Sequence, residues 1–129
     1  PSVKIDNQVQ IAHNVQIGAF TLISAQTGVS GSSKVGSQCT LGGKVGIGDH
    51  VEIGDKSMIG AGAGFPSNKK VPGGQIYFGE PARPYQEMRK QFGAQLRAAE
   101  TLAEVRKLRK EVDELKKSRG SGLGTRDSK

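Results

Sequence analysis

The 129-residue sequence predicts a mainly β fold, a parallel β-helix of six-residue repeats followed by C-terminal α-helices. Three observations lead there. An aliphatic residue recurs at every sixth position from Ile5 to Ile59. Gly is abundant, at 19 residues, while aromatics make up only 5% and Trp is absent. A Pro-free, basic stretch near the C-terminus carries apolar residues at spacings of 3, 4 and 3.

The repeat comes first. Ile5, Ile11, Ile17, Ile23, Val29, Val35, Leu41, Ile47, Ile53 and Ile59 are ten hits in succession, whereas Ile, Leu and Val fill only 25 of 129 positions. Chance would produce such a run on the order of once in ten million trials. One position further on, the residue is small or Asp throughout, and four positions on it is compact, from Val9 and Val15 to Ser57 and Ala63. A period of six with two compact inward positions fits neither an α-helix nor a hairpin meander. It fits a short strand and a corner, with Gly easing the bend. Three such units close a triangular coil of eighteen residues, and successive coils stack about 4.8 Å apart as parallel strands. Residues 1–64 are therefore expected to form coils. They begin in mid-pattern without the polar cap that a solenoid end needs, so the chain is expected to be the C-terminal part of a longer repeat protein.

Residues 65–84, within "FPSNKKVPGGQIYFGEPARPY", read as a Gly/Pro-rich loop that caps the last coil. Residues 85–118 are rich in strong helix formers, with Gly93 marking a possible break between two helices. Val105, Leu108, Val112 and Leu115 form an a/d seam among Glu, Lys and Arg, expected to meet copies of itself as a coiled coil. One helix lying along the prism is the plainer alternative. Residues 119–129 read as a flexible tail without an assigned function.

Charge narrows the partners. Residues 1–82 hold six Lys against five acids, but residues 83–119 hold eleven Lys/Arg against six acids, so the basic character lies in the C-terminal helices. That points to an acidic partner. Nucleic acid is disfavoured, because no aromatics interleave with the charge to stack on bases. No apolar run approaches the ~20 residues of a membrane span. The single cysteine, Cys39, falls on the compact inward series, reads as core, and suits a reducing compartment.

Two histidines stand outside the packing pattern. His13, in "IAHNVQIG", can be a structural corner residue, a metal ligand or a base. Coil arithmetic places Gly31 one rung from His13 and Asp49, beside His50, two rungs away. The two rings are then roughly 10 Å apart, too far to share one metal ion, and the chain has no third histidine. No metal site is expected.

The hexapeptide pattern resembles the hexapeptide-repeat acyltransferases, which implies a left-handed β-helix against the usual crossover preference. More specifically, "KIDNQVQIAHNVQIG", "LGGKVGIGDHVEIGD" and "GEPARP" closely resemble the UDP-3-O-(3-hydroxyacyl)glucosamine N-acyltransferases of lipid A biosynthesis, over roughly residues 3–118. The resemblance implies transfer of a 3-hydroxyacyl chain from the phosphopantetheine of acyl carrier protein to the 2-amine of a UDP-linked sugar, in the cytoplasm, with no tightly bound cofactor. It assigns His13 as general base, the Gly31 amide as oxyanion donor and His50 to a supporting role. Asp6, Asn7, Gln10 and Asn14 would line the acceptor site, and either Asn14 or Asp6 would orient His13. It also implies a homotrimer with active sites between subunits, and carrier protein docking on the basic helices. The family's uridine-gripping N-terminal domain has no counterpart in these residues, so the chain by itself is expected to turn over weakly. Another acyl- or acetyltransferase acting on an amino sugar, and a non-catalytic trimeric scaffold, are the competing readings.

Overall fold

The computed structural model describes residues 2–127 of the chain, with side chains to Gly120. It is a left-handed parallel β-helix of about four turns followed by two helices. The chain divides into two compact units, Pro1–Arg89 and Lys90–Lys129.

In the first unit three faces form a triangular prism. The first face stacks Lys4–Ile5, Leu22–Ile23, Thr40–Leu41, Met58–Ile59 and Ile76–Phe78 as parallel strands, with Arg83–Pro84 added antiparallel. The second stacks Gln10–Ile11, Gly28–Val29, Gly46–Ile47 and Gly64–Phe65, and the third stacks Gln16–Ile17, Lys34–Val35, Glu52–Ile53 and Lys70–Val71. Every parallel register is eighteen residues: Ile5 pairs with Ile23, Ile11 with Val29 and Ile17 with Val35. The aliphatic series thus points inward as three ladders, buried at Ile23, Leu41, Ile47 and Ile59 and half exposed at Ile5 in the first coil.

The ladder runs further than the aliphatic series does in sequence. Phe65, Val71 and Tyr77 keep the spacing of six and pair with Ile47, Ile53 and Ile59. Pro and Gly hide this continuation, and aromatics replace Ile because the top of the prism is closed by rings. Phe65 and Tyr77 meet edge to face at 5.7 Å, and the Tyr77 hydroxyl donates to the Pro72 carbonyl at 2.6 Å.

Corners repeat with equal regularity. The second residue of nearly every turn has positive φ, and it is Gln8, Asn14, Phe20, Gln26, Ser32 or His50 rather than glycine at most of them. That left-handed conformation is uncommon for non-glycine residues. It is held by a backbone bond to the coil below: Gln26 N donates to Asn7 O, Ser32 N to His13 O, and His50 N to Gly31 O. Glycine is required where coils approach most closely. A Cβ on Gly48 would lie 2.7 Å from the Ser67 nitrogen.

The compact inward series holds a ladder of buried hydroxyls. Thr21, Thr27 and Ser33 donate to the carbonyls of Gly36, Gly42 and Gly48 at 2.7, 3.0 and 2.7 Å. Each also accepts a backbone N–H one coil on, from Cys39, Val45 and Val51. Cys39 belongs to this ladder. Its thiol donates to the Gly54 carbonyl at 3.3 Å, and burial pushes its pKa up, which makes it core and a poor nucleophile.

The helices are α1, Tyr85–Leu96, and α2, Ala98–Asp127. The break between them is at Arg97 rather than Gly93, and the Arg97 N–H closes a tight turn onto the Ala94 carbonyl. Val105, Leu108, Val112 and Leu115 are 46–69% exposed on α2. The backbone of α2 also continues through the stretch expected to be a flexible tail, against the low helix propensity of its glycines. Residues 128–129 of that tail lie outside the described residues. Among the described residues no helix is long and apolar enough to cross a membrane.

Thr27→Val tests the hydroxyl ladder, because it keeps the shape and strands both the Gly42 carbonyl and the Val45 N–H. The expected loss is about 1–3 kcal/mol of stability, read by denaturant unfolding. An unchanged midpoint would show that the hydroxyls merely fill space.

Candidate active site

One edge of the prism, between the second and third faces, gathers His13, Asn14, Gly31 and His50 of the sequence-predicted residues. Its turns are 13–14, 31–32, 49–50 and 67–68, stacked by the bonds Ser32 N to His13 O, His50 N to Gly31 O and Asn68 N to Asp49 O. His13, Gly31 and Asp49 occupy the leading position of successive turns, and Asn14, Ser32 and His50 the trailing, positive-φ position. Two rungs of strand spacing, roughly 10 Å, separate the backbones of the two histidine turns. Both histidines are exposed.

His13 and Gly31 are brought into direct contact. A Cβ on Gly31 would lie 2.5 Å from His13 Cε1 and 2.8 Å from Nε2, so the imidazole rests where a side chain on residue 31 would stand. The ring covers Gly31, which is buried although its turn is at the surface. Gly31 O accepts from His50, but its N–H finds no acceptor among the described residues. Any residue with a side chain at position 31 would push the ring away.

The remaining predicted residues spread across the adjoining face. Gln10 lies on the second face, while Asp6 and Asn7 are at its opposite corner, where Asp6 Oδ1 accepts the Asn7 N–H at 2.7 Å. Asp6 therefore faces its own corner rather than the imidazole, and Asn14 shares the His13 turn. Neither side chain hydrogen-bonds the ring, and no group among the described residues does.

Sequence reasoning missed the groove between these corners. It measures about 870 Å³ and is lined by Gln10, Ala12, Ser30, Lys44 and Pro66 over a floor of glycine. The outward residues of the second face are Gln10 in the first coil and then Gly28, Gly46 and Gly64, one per coil. A Cβ on Gly28 or Gly46 would meet nothing within 4 Å, so the floor is open along the stack. At Gly64 the Glu80 side chain lies over the floor, and Glu80 with Pro81 closes that end. The signal was present as glycine at a spacing of eighteen, hidden by the many glycines at other positions. Such a trough suits an extended, flexible, largely apolar chain that must approach backbone closely. Among the described residues no group of three His, Cys, Asp or Glu side chains is placed to hold a metal ion.

Comparison with protein-family models and with curated proteins gave no match. Solved structures do resemble the chain. One is a hexapeptide transferase family protein from Anaplasma phagocytophilum, at 19% identity and TM-score 0.33 over 64% of this chain and 66% of that one. Another is a maltose O-acetyltransferase from Clostridium difficile 630, at 17% and 0.37 over 64% and 66%. A third is the acetyltransferase domain of PglB from Neisseria gonorrhoeae in complex with acetyl coenzyme A, at 17% and 0.32 over 65% and 55%. The chain spans 55–66% of the length of these three proteins. At such values the likeness carries nothing about activity, and the site stands on its own geometry.

Gly31→Ala should displace the imidazole while leaving the coil intact, since Gly31 has no positive φ. The NMR resonance of the His13 Cε1–H is expected to move, that of His50 to stay, and stability to change by about 0.5 kcal/mol. An unmoved His13 signal would contradict the packing described here.

Proposed function

We propose that this chain carries the catalytic corner of an N-acyltransferase. The enzyme moves a 3-hydroxyacyl chain from the phosphopantetheine thioester of acyl carrier protein to the 2-amine of UDP-3-O-acylglucosamine. The observation that carries the reading is the His13 imidazole resting over Gly31 beside a groove with a glycine floor.

The chemistry needs a base and an oxyanion donor close together. The amine nitrogen attacks the thioester carbon, and His13 takes the proton that the amine loses. The carbonyl oxygen becomes negative in the tetrahedral intermediate and accepts the unpaired Gly31 N–H. Collapse breaks the C–S bond, and His13 returns the proton to the departing thiolate. The acyl chain would lie along Gly28 and Gly46 toward Glu80, a course with no side chain in its way. Asp6, Asn7, Gln10 and Asn14, exposed at the first coil, would hold the sugar, and His50 would support it from two rungs on.

Two further parts of the reading rest on the helices. Residues 83–119 carry eleven basic against six acidic side chains, suited to attract the strongly acidic carrier protein. The exposed a/d stripe of α2 suits association with copies of itself, as a trimer.

Acyl-transfer assays of the full-length protein test the assignment. His13→Ala is expected to lower kcat/KM by about 10²–10⁴-fold, with a smaller loss for His50→Ala. Undiminished activity in His13→Ala would remove the base. Turnover of acetyl coenzyme A, with refusal of the 3-hydroxyacyl carrier protein, would move the enzyme to acetyl transfer.

A further inference from the structure

The inward hydroxyls of the prism, on Thr21, Thr27, Ser33 and Ser57, each donate to a backbone carbonyl. Ser30 is different. Its N–H donates to the Ile47 carbonyl at 2.9 Å, which fixes its backbone, but its hydroxyl bonds to nothing among the described residues. It is half-buried, lines the glycine-floored groove, and directly precedes Gly31. Packing does not call for a hydroxyl there. The same step of the coil is Gly at 42 and 48, where a Cβ would lie 2.7 Å from a backbone nitrogen of the next coil, and it is Ala12 in the coil before.

We infer that Ser30 selects the acyl donor, its hydroxyl holding the 3-hydroxyl of the chain while the Gly31 N–H holds the thioester oxygen. The inference rests on the acyl-transfer reading of this site given above. The match is one of covalent spacing. From the Gly31 nitrogen the backbone runs through the carbonyl carbon and Cα of Ser30, then through Cβ to the hydroxyl. From the thioester oxygen the substrate runs through C1, C2 and C3 to its own hydroxyl. The two protein donors and the two substrate oxygens are thus the same number of bonds apart. The segment that carries the donors is pinned on both sides, by Ser32 N to His13 O and by His50 N to Gly31 O.

The groove needs such a contact. Its floor at Gly28 and Gly46 is open, so an acyl chain lying there meets no side chain that sets its register. A hydroxyl both donates and accepts, and Ser30 can therefore serve the 3-hydroxyl in either sense. A plain methylene at C3 would leave Ser30 facing carbon, and a site that hydrogen-bonds a substrate hydroxyl disfavours the analogue without it. Holding C3 and the thioester oxygen together also fixes the plane of the thioester beside the His13 imidazole, which presents its carbon to the incoming amine in one orientation.

A comparison of donors with the full-length protein tests this. Carrier protein is loaded either with a 3-hydroxyacyl chain or with the saturated chain of equal length that lacks the hydroxyl, and kcat/KM is measured for each. Ser30→Ala is expected to lower the ratio of the two values, hydroxylated over plain, by about 3–10-fold, the worth of one neutral hydrogen bond. Ala12 shows that this step of the coil accepts alanine, so the fold is not at stake. Ser24→Ala is the control: that hydroxyl is likewise unbonded, but it follows the first face and lies outside the groove, and the ratio is expected to hold. A ratio unchanged in Ser30→Ala, or lowered equally by Ser24→Ala, would overturn the inference alone. Transfer from neither donor by the unsubstituted enzyme would instead take away the acyl-transfer reading, and the inference with it.

Discussion

Everything in the prism depends on the backbone ladder that sets residue n+18 directly on residue n. Its bonds run both along the strands, as from Leu22 N to Cys39 O, and at the corners, as from His50 N to Gly31 O. Once that ladder is closed, side chains have no say in where they stand and only choose what to put there. The interior becomes a set of one-residue-wide columns, which is why Ile, Leu and Val suffice and large rings enter only at the top. The hydroxyls of Thr21, Thr27 and Ser33 fit the same columns because each finds one carbonyl and one N–H at fixed offsets, fifteen and eighteen residues on.

The same constraint makes the His13 corner chemically distinct. On an ordinary surface turn an imidazole would be surrounded by water and free to rotate. Here the coil above delivers a residue without a side chain directly beneath the ring, and the ring settles onto it. A preorganised contact between a titratable ring and a backbone amide is thus obtained from two residues eighteen apart, with no loop to order. Preorganisation of this kind costs little at the moment of reaction.

Much of this was legible in the sequence. The spacing of six revealed the coils, the inward columns and the Gly31–His13 neighbourhood, because a single periodicity fixes all three. The groove was not legible, since Gly28, Gly46 and Gly64 are lost among 19 glycines until the residues are sorted by face. The continuation through Val71 and Tyr77 was masked by Pro66, Pro72 and paired glycines, which read locally as loop although the ladder overrides them. Gly93 misled for the opposite reason: a weak local breaker inside a strong helical context does not end the helix.

The eighteen-residue frame also governs how such a chain can change. An outward residue touches only its neighbours one rung above and below, so each face can be rewritten while the other two keep their text. Length is a different matter. One residue gained inside a coil would carry every later Gly, Thr and Ile into the wrong column, whereas one gained at a corner would bulge into water. Variation in this fold is therefore free in spelling and strict in metre, with the corners as its only places to pause.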